Sequence, residues 1–256
     1  MRVGFIGTGS ITGAIVSGLV KANWNFREIS LSPRNAAVAA RLVELDRKIR
    51  VRTDNQAVLD DSEVVFLAVR PQIARDVVGP LAFRAGHRVI NLVAGLTSED
   101  LASWVAAPIA ICRAIPAPFV ADLCGVTAIY PRDAVAMEIF SRLGKVVEAR
   151  GPGDFELFGS AYCLMGTYFG FLESSARWMQ SNGMDYDVAR AFLPPLFAGL
   201  AHAAASSPKS FEELRIAFST PGGLNEKAFQ VFQSQGGTRA LAAALEATHS
   251  KLIGSN

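Results

Sequence analysis

The sequence predicts an α/β protein with an N-terminal Rossmann-type doubly wound sheet and a C-terminal all-helical domain. Three observations support this prediction. A short apolar run, a glycine turn and a helical pattern follow one another in residues 1–19. Strand and helix patterns then alternate up to about residue 150, which is typical of a parallel sheet covered by helices. From residue 154 onward only helical patterns are found.

The glycine turn has the pattern of a diphosphate-binding site. Val3 to Ile6 predict a strand, Gly7 and Gly9 a turn, and Ile11 to Leu19 a helix. The first N–H groups of a helix have no intrahelical partner and lie at the positive end of its dipole. Gly7 allows a sharp turn, and Gly9 lets a diphosphate approach the backbone. Because Thr12 replaces the third small residue of the G-x-G-x-x-G/A fingerprint, the prediction depends on this strand, turn and helix context.

The residues after the second predicted strand favour NADP over NAD. Glu28 to Ser32 alternate as a strand, and Ala36 to Leu45 predict a helix capped by Asn35. In a Rossmann-type sheet, a carboxylate at the end of this strand accepts a hydrogen bond from the ribose 2′-hydroxyl of NAD. The sequence has no carboxylate there, and Arg34 offers charge-assisted hydrogen bonds to a 2′-phosphate. A solvated surface arginine is the alternative interpretation, which leaves NAD open as the cofactor.

The rest of the first domain supplies the other strands of the sheet. Glu63 to Val69 form an almost unbroken apolar run, as expected for a strand covered on both faces. Arg70 to Gln72 follow at its carboxyl end, where ligands of open α/β sheets bind. Further strands are predicted at Ile49–Arg52, Val89–Val93, Ala110–Ile115, Gly125–Tyr130 and Lys145–Glu148, giving about eight in all. We therefore predict a dinucleotide-binding domain over residues 1–152 and a helical dimerisation and substrate domain over residues 153–256.

The second predicted domain contains one uncharged apolar segment, Leu157 to Leu172. It is shorter than the roughly 20 residues that a bilayer requires, so we expect a buried central helix rather than a membrane span. Further helices are predicted at Asp185–Ser206, Glu212–Phe218, Asn225–Gln233 and Thr238–Ile253. Because so small a helical array buries its apolar faces poorly by itself, we expect a homodimer or higher homo-oligomer through these helices.

Composition limits the partners of the chain. Its 256 residues are 50% hydrophobic and 19% charged, which is ample for a buried core. A net charge of +2 without a run of Lys or Arg gives no support for nucleic acid or an anionic membrane surface as a partner. The first apolar run is interrupted by Gly7 to Ser10, unlike a signal peptide, and the three cysteines lack metal-ligand spacing. We expect a cytoplasmic protein with a small-molecule substrate and no metal site.

Several segments, in matching order and separation, resemble the pyrroline-5-carboxylate reductase family over most of the chain. They are GFIGTGSIT (4–12), LAVRPQ (67–72), RAIPAPF (113–119), GVTAIYP (125–131) and STPGGLN (219–225). The combination of LAVRPQ with a distant Pro-Gly-Gly is far more specific than a glycine turn. The resemblance implies that the first domain binds NAD(P)H, that the helical domain forms an intertwined dimer, and that hydride passes to the C=N carbon of a cyclic imino acid, giving proline.

The resemblance also assigns cofactor-binding residues to the first domain. Gly7, Gly9, Ser10 and Ile11 match the diphosphate loop of the family. Ser32 and Arg34 match the region that holds the 2′-phosphate. The segments that line the cofactor in the family are matched by Asn55, Ala68, Val69, Arg70 and Pro71.

The substrate is assigned by the resemblance to residues 219–225. The family pattern there, Ser-Ser-Pro-Gly-Gly-Thr-Thr, holds the substrate carboxylate through backbone N–H and hydroxyl groups, and its last Thr lies near the ring nitrogen. In this chain Leu224 and Asn225 replace the two threonines, although Asn225 can still donate and accept hydrogen bonds. The predicted catalytic residues are Ser219, Thr220 and Asn225, and the predicted substrate contacts are Gly222, Gly223, Leu224 and Phe119.

Two other segments depart from the family pattern. Residues 115–120 lack the Asn and Thr of Met-Pro-Asn-Thr-Pro-Ala, and residues 158–164 replace Ser-Gly-Ser-Gly-Pro-Ala-Tyr. The pocket is therefore expected to be more apolar, and three hypotheses stay open: reduction of pyrroline-5-carboxylate, reduction of a different small imine or keto acid, and a catalytically silent NADP-binding regulator. Tyr162, Asn225 and solvent are the candidate proton donors. Residues 154–180 contain no Lys, which separates the chain from the related β-hydroxyacid dehydrogenases.

Overall fold

The computed structural model describes residues 1–254, which form eight β-strands, twelve α-helices and two 3-10 turns. The strands are β1 (Arg2–Ile6), β2 (Glu28–Leu31), β3 (Ile49–Val51), β4 (Val64–Leu67), β5 (Arg88–Asn91), β6 (Ala110–Pro116), β7 (Gly125–Tyr130) and β8 (Gly144–Glu148). The helices are α1 (Ser10–Lys21), α2 (Ala36–Val43), α3 (Asn55–Asp60), α4 (Ala74–Val78), α5 (Ser98–Trp104), α6 (Ala134–Ser141), α7 (Pro152–Tyr162), α8 (Leu164–Ser181), α9 (Tyr186–Ser206), α10 (Phe211–Ala217), α11 (Leu224–Ser234) and α12 (Gly237–Ile253). The 3-10 turns are Pro71–Ile73 and Pro118–Asp122.

The eight strands form one sheet in the order β3-β2-β1-β4-β5-β6-β7-β8. Strands β1 to β6 are parallel, β7 is antiparallel to β6, and β8 is parallel to β7. The chain winds outward from β1 in one direction and returns to β4 on its other side. The carboxyl ends of β1 and β4 therefore open a crevice at the topological switch point, where α/β proteins bind ligands. This arrangement confirms the predicted fold class.

Apolar cores cover both faces of the sheet, which explains the unbroken apolar runs in the sequence. Successive side chains of a strand point to opposite faces. On one face Phe5 stacks on Phe66 with ring centroids 4.6 Å apart, and Phe140 meets Phe66 edge-on at 6.0 Å. On the other face the neighbouring residues Ile6 and Leu67 belong to a second buried cluster. Burial on both faces fixes β1 and β4 at the centre of the sheet.

A buried ion pair joins β6 to α7. The Nη2 atom of Arg113 lies 2.8 Å from Oε1 of Glu156, and these side chains are 6% and 17% exposed. The same guanidinium lies 4.4 Å from the ring centroid of Phe155, which packs in a small core with Ala128 and Ala149. Removing one partner of a buried ion pair costs about 3–5 kcal/mol, because the other charge is left buried and unpaired. The pair therefore holds the start of α7 on the sheet.

The described residues divide into two compact units. The first contains Met1–Gly159 together with the end of α12 from Lys251, and the second contains Ser160–Ser250. The boundary between residues 152 and 153 stays a prediction. Ser255 and Asn256, at the end of the predicted second domain, lie outside the described residues.

The long apolar segment differs from its prediction in two ways. The expected single helix is divided, because α7 ends at Tyr162 and α8 begins at Leu164. The Cys163 N–H donates a hydrogen bond to the Ser160 carbonyl at 3.1 Å, which closes the last turn of α7. The expected burial is also wrong for the single chain, since Leu157 and Phe169 are 57% and 60% exposed. A helix that is apolar on most sides needs apolar cover from outside its own chain.

Among the described residues, α9 has the length and hydropathy of a membrane-spanning helix. Within its most apolar stretch, 11% of the residues are buried. Helices in the core of a soluble protein have the same composition. It continues as one helix through Pro194 and Pro195. Together with α8 it encloses a small core of Ala176, Ala189 and Leu193, so these two helices support each other within the second unit.

Candidate active site

The crevice at the carboxyl ends of β1 and β4 contains a cavity of about 290 Å³. The cavity lies entirely in the first unit. Its lining includes two glycines, whose backbone is not covered by a side chain, and two arginines. The lining residues are Gly7, Thr8, Gly9, Arg34, Asn35, Ala68, Val69, Arg70 and Ile73. Six of these, Gly7, Gly9, Arg34, Ala68, Val69 and Arg70, are cofactor-binding residues predicted from the sequence.

The two glycines of the turn serve different purposes. Gly7 has a φ of +101°, and a Cβ atom at this position would lie 2.4 Å from the backbone oxygen of Ala68. Gly9 has an extended conformation, and a Cβ atom there would meet nothing within 4 Å. The fold therefore requires glycine at residue 7. At residue 9 it leaves open space beside the N-terminus of α1, where an anion can approach the backbone.

Buried hydroxyl groups hold this turn in place. Ser32 accepts a hydrogen bond from the Gly7 N–H at 2.9 Å, and its hydroxyl lies 3.0 Å from that of Thr8. Thr8 also donates to the Ser32 carbonyl at 2.7 Å, and Thr12 donates to the Gly7 carbonyl at 2.6 Å. Ser32 is only 1% exposed. Its side chain contacts the glycine turn, whereas the resemblance assigns it to the 2′-phosphate.

Two guanidinium groups give the cavity a positive charge. Arg34 and Arg70 line it, and both are exposed residues. Between Arg34 and α2, Asn35 adopts a left-handed conformation with φ +67° and ψ +67°. Asn35 occupies the N-cap position, as predicted, but its side chain makes no capping hydrogen bond within the described structure. An anionic ligand would meet two cations and the first turn of α2 here.

The other predicted cofactor residues do not line the cavity. Ser10 and Ile11 begin α1 directly after Gly9, and Pro71 opens the 3-10 turn directly after Arg70. Asn55 is the first residue of α3. Sequence reasoning missed Thr8, Asn35 and Ile73 as lining residues. The position of Thr8 inside the G-x-G pattern was the available signal.

The predicted substrate turn joins α10 to α11 in the second unit. Gly222 has a φ of +70°, and the Gly223 N–H donates to the Thr220 carbonyl at 2.8 Å. Gly223 is the N-cap of α11 and has no side chain to cap it. The Gly222 N–H donates to Oε2 of Glu226 at 2.6 Å. The turn thus lies at the positive end of the α11 dipole, and the Gly222 N–H already binds a carboxylate there.

Polar and apolar side chains both surround this turn. Nδ2 of Asn225 donates to the Phe218 carbonyl at 2.7 Å, and the Ser219 N–H donates to the Ile216 carbonyl at 3.0 Å. Thr220 is an exposed residue. Leu224 is 88% exposed, at the position where the family pattern has a threonine. Phe119 belongs to the first unit, in the second 3-10 turn, and is 45% exposed.

Burial raises the pKa of Tyr162 to about 12. Its hydroxyl therefore stays protonated in the neutral pH range, but it is a weaker acid than an ordinary tyrosine, which makes it a poorer proton donor. Within residues 1–254 no three His, Cys, Asp or Glu side chains are close enough together to hold a metal ion.

Comparisons with known proteins give matches to both parts of the chain. Residues 2–95 match the family described as NADP oxidoreductase coenzyme F420-dependent, and residues 158–253 match the pyrroline-5-carboxylate reductase dimerisation family. The pyrroline-5-carboxylate reductase of Vibrio alginolyticus is 27% identical over 259 residues, covering 96% of this chain and 94% of that protein. The chain is therefore similar to pyrroline-5-carboxylate reductases over nearly its whole length, and its helical part matches their dimerisation family. The dimerisation match indicates a homo-oligomer.

Solved structures of the pyrroline-5-carboxylate reductase family share the fold over nearly the whole chain. The 1-pyrroline-5-carboxylate reductase of Streptococcus pyogenes has a TM-score of 0.87 and 21% identity, covering 99% of this chain and 98% of that chain. The Plasmodium falciparum pyrroline carboxylate reductase with NADP bound has a TM-score of 0.85 and 17% identity, covering 99% and 97%.

The two glycines of the turn predict opposite effects of alanine substitution. Gly9→Ala should leave the free energy of unfolding within about 0.5 kcal/mol of the wild type, because the site is open, while dinucleotide affinity falls at least tenfold. Gly7→Ala should destabilise the protein by more than 1 kcal/mol, because it adds both backbone strain and a clash. Urea unfolding and fluorescence titration with NADPH measure the two effects. Unchanged NADPH affinity in Gly9→Ala would place the diphosphate elsewhere.

Proposed function

We propose that this chain is an NADPH-dependent reductase that converts pyrroline-5-carboxylate to proline. The observation that carries the proposal is the positively charged cavity around the Gly7 to Gly9 turn, at the switch point of the sheet. The family supplies the reaction, in which hydride adds to the C=N carbon of a cyclic imino acid. The turn at residues 219–225 supplies the substrate half of the proposed site.

NADP is the preferred cofactor in this proposal. Arg34 lies in the cavity beside the first turn of α2, and the chain has no carboxylate in residues 32–35 that would repel a 2′-phosphate. The Plasmodium falciparum relative was solved with NADP bound. We assign Arg34 to the 2′-phosphate and the Gly7 to Gly9 turn to the diphosphate, with Asn55 and residues 68–71 beside them. The tight hydrogen bonding of Ser32 to Gly7 and Thr8 supports a role in holding the turn.

The proposed mechanism demands little acid or base chemistry from side chains. When bound, the nicotinamide supplies the hydride. A protonated imine is already electrophilic, so the main tasks of the protein are to position the ring and to exclude water. The turn at Gly222 and Gly223, with the hydroxyls of Ser219 and Thr220, would hold the substrate carboxylate. Asn225 would contact the ring nitrogen, and Leu224 and Phe119 would supply apolar contacts.

A homodimer through the C-terminal helices completes the proposal. The second unit exposes large apolar side chains along α8 and α9, including Phe169, Trp178 and Phe192. Contiguous apolar surface of this kind marks a protein interface. We further propose that the protein acts in the cytoplasm and that its other partners are small molecules.

The activity is tested by following NADPH oxidation at 340 nm with pyrroline-5-carboxylate and a panel of cyclic imines and keto acids. We expect pyrroline-5-carboxylate to turn over at more than about 1 per second. Turnover restricted to another imine or keto acid would reassign the substrate. Binding of NADPH without turnover of any compound would indicate a regulatory protein.

Substitutions of Arg34 and Ser32 should change the affinities for NADPH and NADH in different ways. Arg34→Ala should weaken NADPH binding by one to two tenfold steps, about 1.4 to 2.8 kcal/mol, and leave NADH binding unchanged, because only NADPH carries the 2′-phosphate. Ser32→Ala should weaken both cofactors by similar factors, because it loosens the turn that both share. Fluorescence titrations of both variants with both cofactors measure this. If Ser32→Ala affected NADPH alone, Ser32 would contact the phosphate directly.

A further inference from the structure

Glu226 places a carboxylate on the turn that the proposed function assigns to the substrate carboxylate. Its Oε2 atom accepts a hydrogen bond from the Gly222 N–H at 2.6 Å. Glu226 lies in the first turn of α11, whose N-cap is Gly223. The positive end of a helix dipole and an exposed N–H favour such an internal anion. The chain therefore fills part of its own anion-binding turn.

We propose that Glu226 is a specificity-determining residue that competes with the carboxylate of the substrate and so reduces the preference for imino acids over imines without a carboxylate. This inference rests on the proposed function, because it concerns the same turn. Leu224, which is 88% exposed, occupies the position where the family pattern has a threonine. The turn therefore also lacks a hydroxyl group that could bind a carboxylate. Both residues make the site less favourable for an anion and more favourable for an apolar ring.

The competition has two physical causes. A backbone N–H donates one proton, so the Gly222 N–H cannot bind a substrate carboxylate fully while it binds Glu226. Two carboxylates about 4 Å apart also repel each other, and in water this repulsion corresponds to about a fivefold change in an equilibrium constant. A bound substrate carboxylate must therefore displace Glu226 or tolerate it nearby. A neutral substituent on the ring carries neither cost.

The test compares steady-state kinetics for pyrroline-5-carboxylate and for 1-pyrroline, which has the same ring without the carboxylate. Glu226→Gln removes the charge and keeps the shape, and Glu226→Ala removes both. Glu246→Gln is the matched control, since Glu246 is exposed on α12 of the same unit and lies outside the turn. In both Glu226 variants we expect the KM for pyrroline-5-carboxylate to fall about three- to tenfold. The KM for 1-pyrroline should stay unchanged, as should all values for Glu246→Gln.

An unchanged or higher KM for pyrroline-5-carboxylate in both Glu226 variants would overturn the proposal, because Glu226 would then only organise the turn. An equal improvement for 1-pyrroline would overturn it as well, since the effect would not depend on the carboxylate.

Calorimetric titration with L-proline, which keeps the carboxylate, tests Glu226 without turnover. Tighter proline binding in the Glu226 variants supports the competition even if the protein reduces neither imine, in which case only the proposed function fails. Equal binding, or no binding, in the wild type and the variants would overturn the inference itself. Circular dichroism confirms that each variant is folded.

Discussion

The close approach of β1 to β4 at their carboxyl ends is the constraint on which the rest of the first unit depends. The backbone oxygen of Ala68 lies so near Gly7 that no Cβ atom fits between them, and the Ala68 N–H donates to the Ile6 carbonyl at 2.8 Å. This contact fixes where β1 ends and where α1 begins. Ser32 and Thr8 then connect the same turn to the end of β2, so the three strand ends that border the cavity form one hydrogen-bonded unit.

Much of this architecture could be predicted because the signals are local. All eight strands lie within two residues of their predicted bounds, since apolar runs and turn residues are read from adjacent positions. The role of Ser32 could not be predicted, because its partners are about 25 residues away. The break at Cys163 was missed because that segment has no proline or charge to mark it. Burial of α8 was mispredicted because apolar composition does not say whether the covering surface belongs to the same chain.

The candidate substrate turn has the glycines of the pyrroline-5-carboxylate reductase pattern and differs from that pattern in the two residues that follow them. Gly222 supplies the positive-φ residue of the turn and Gly223 the N-cap of α11, and these features follow from the sequence. The hydrogen bond from Gly222 to Glu226 could not be read from the Pro-Gly-Gly motif, because it depends on the rotamer of a residue beyond it. The cofactor cavity is therefore the better determined of the two candidate sites.

The central claim is that hydride passes from NADPH to the imine carbon of pyrroline-5-carboxylate, and isotope transfer tests it most directly. The protein is incubated with pyrroline-5-carboxylate and NADPH that carries deuterium at both C4 positions, and the product is analysed by mass spectrometry. The account predicts proline with one deuterium at C5, the former imine carbon. Absence of labelled proline while the same protein preparation binds NADPH would contradict it.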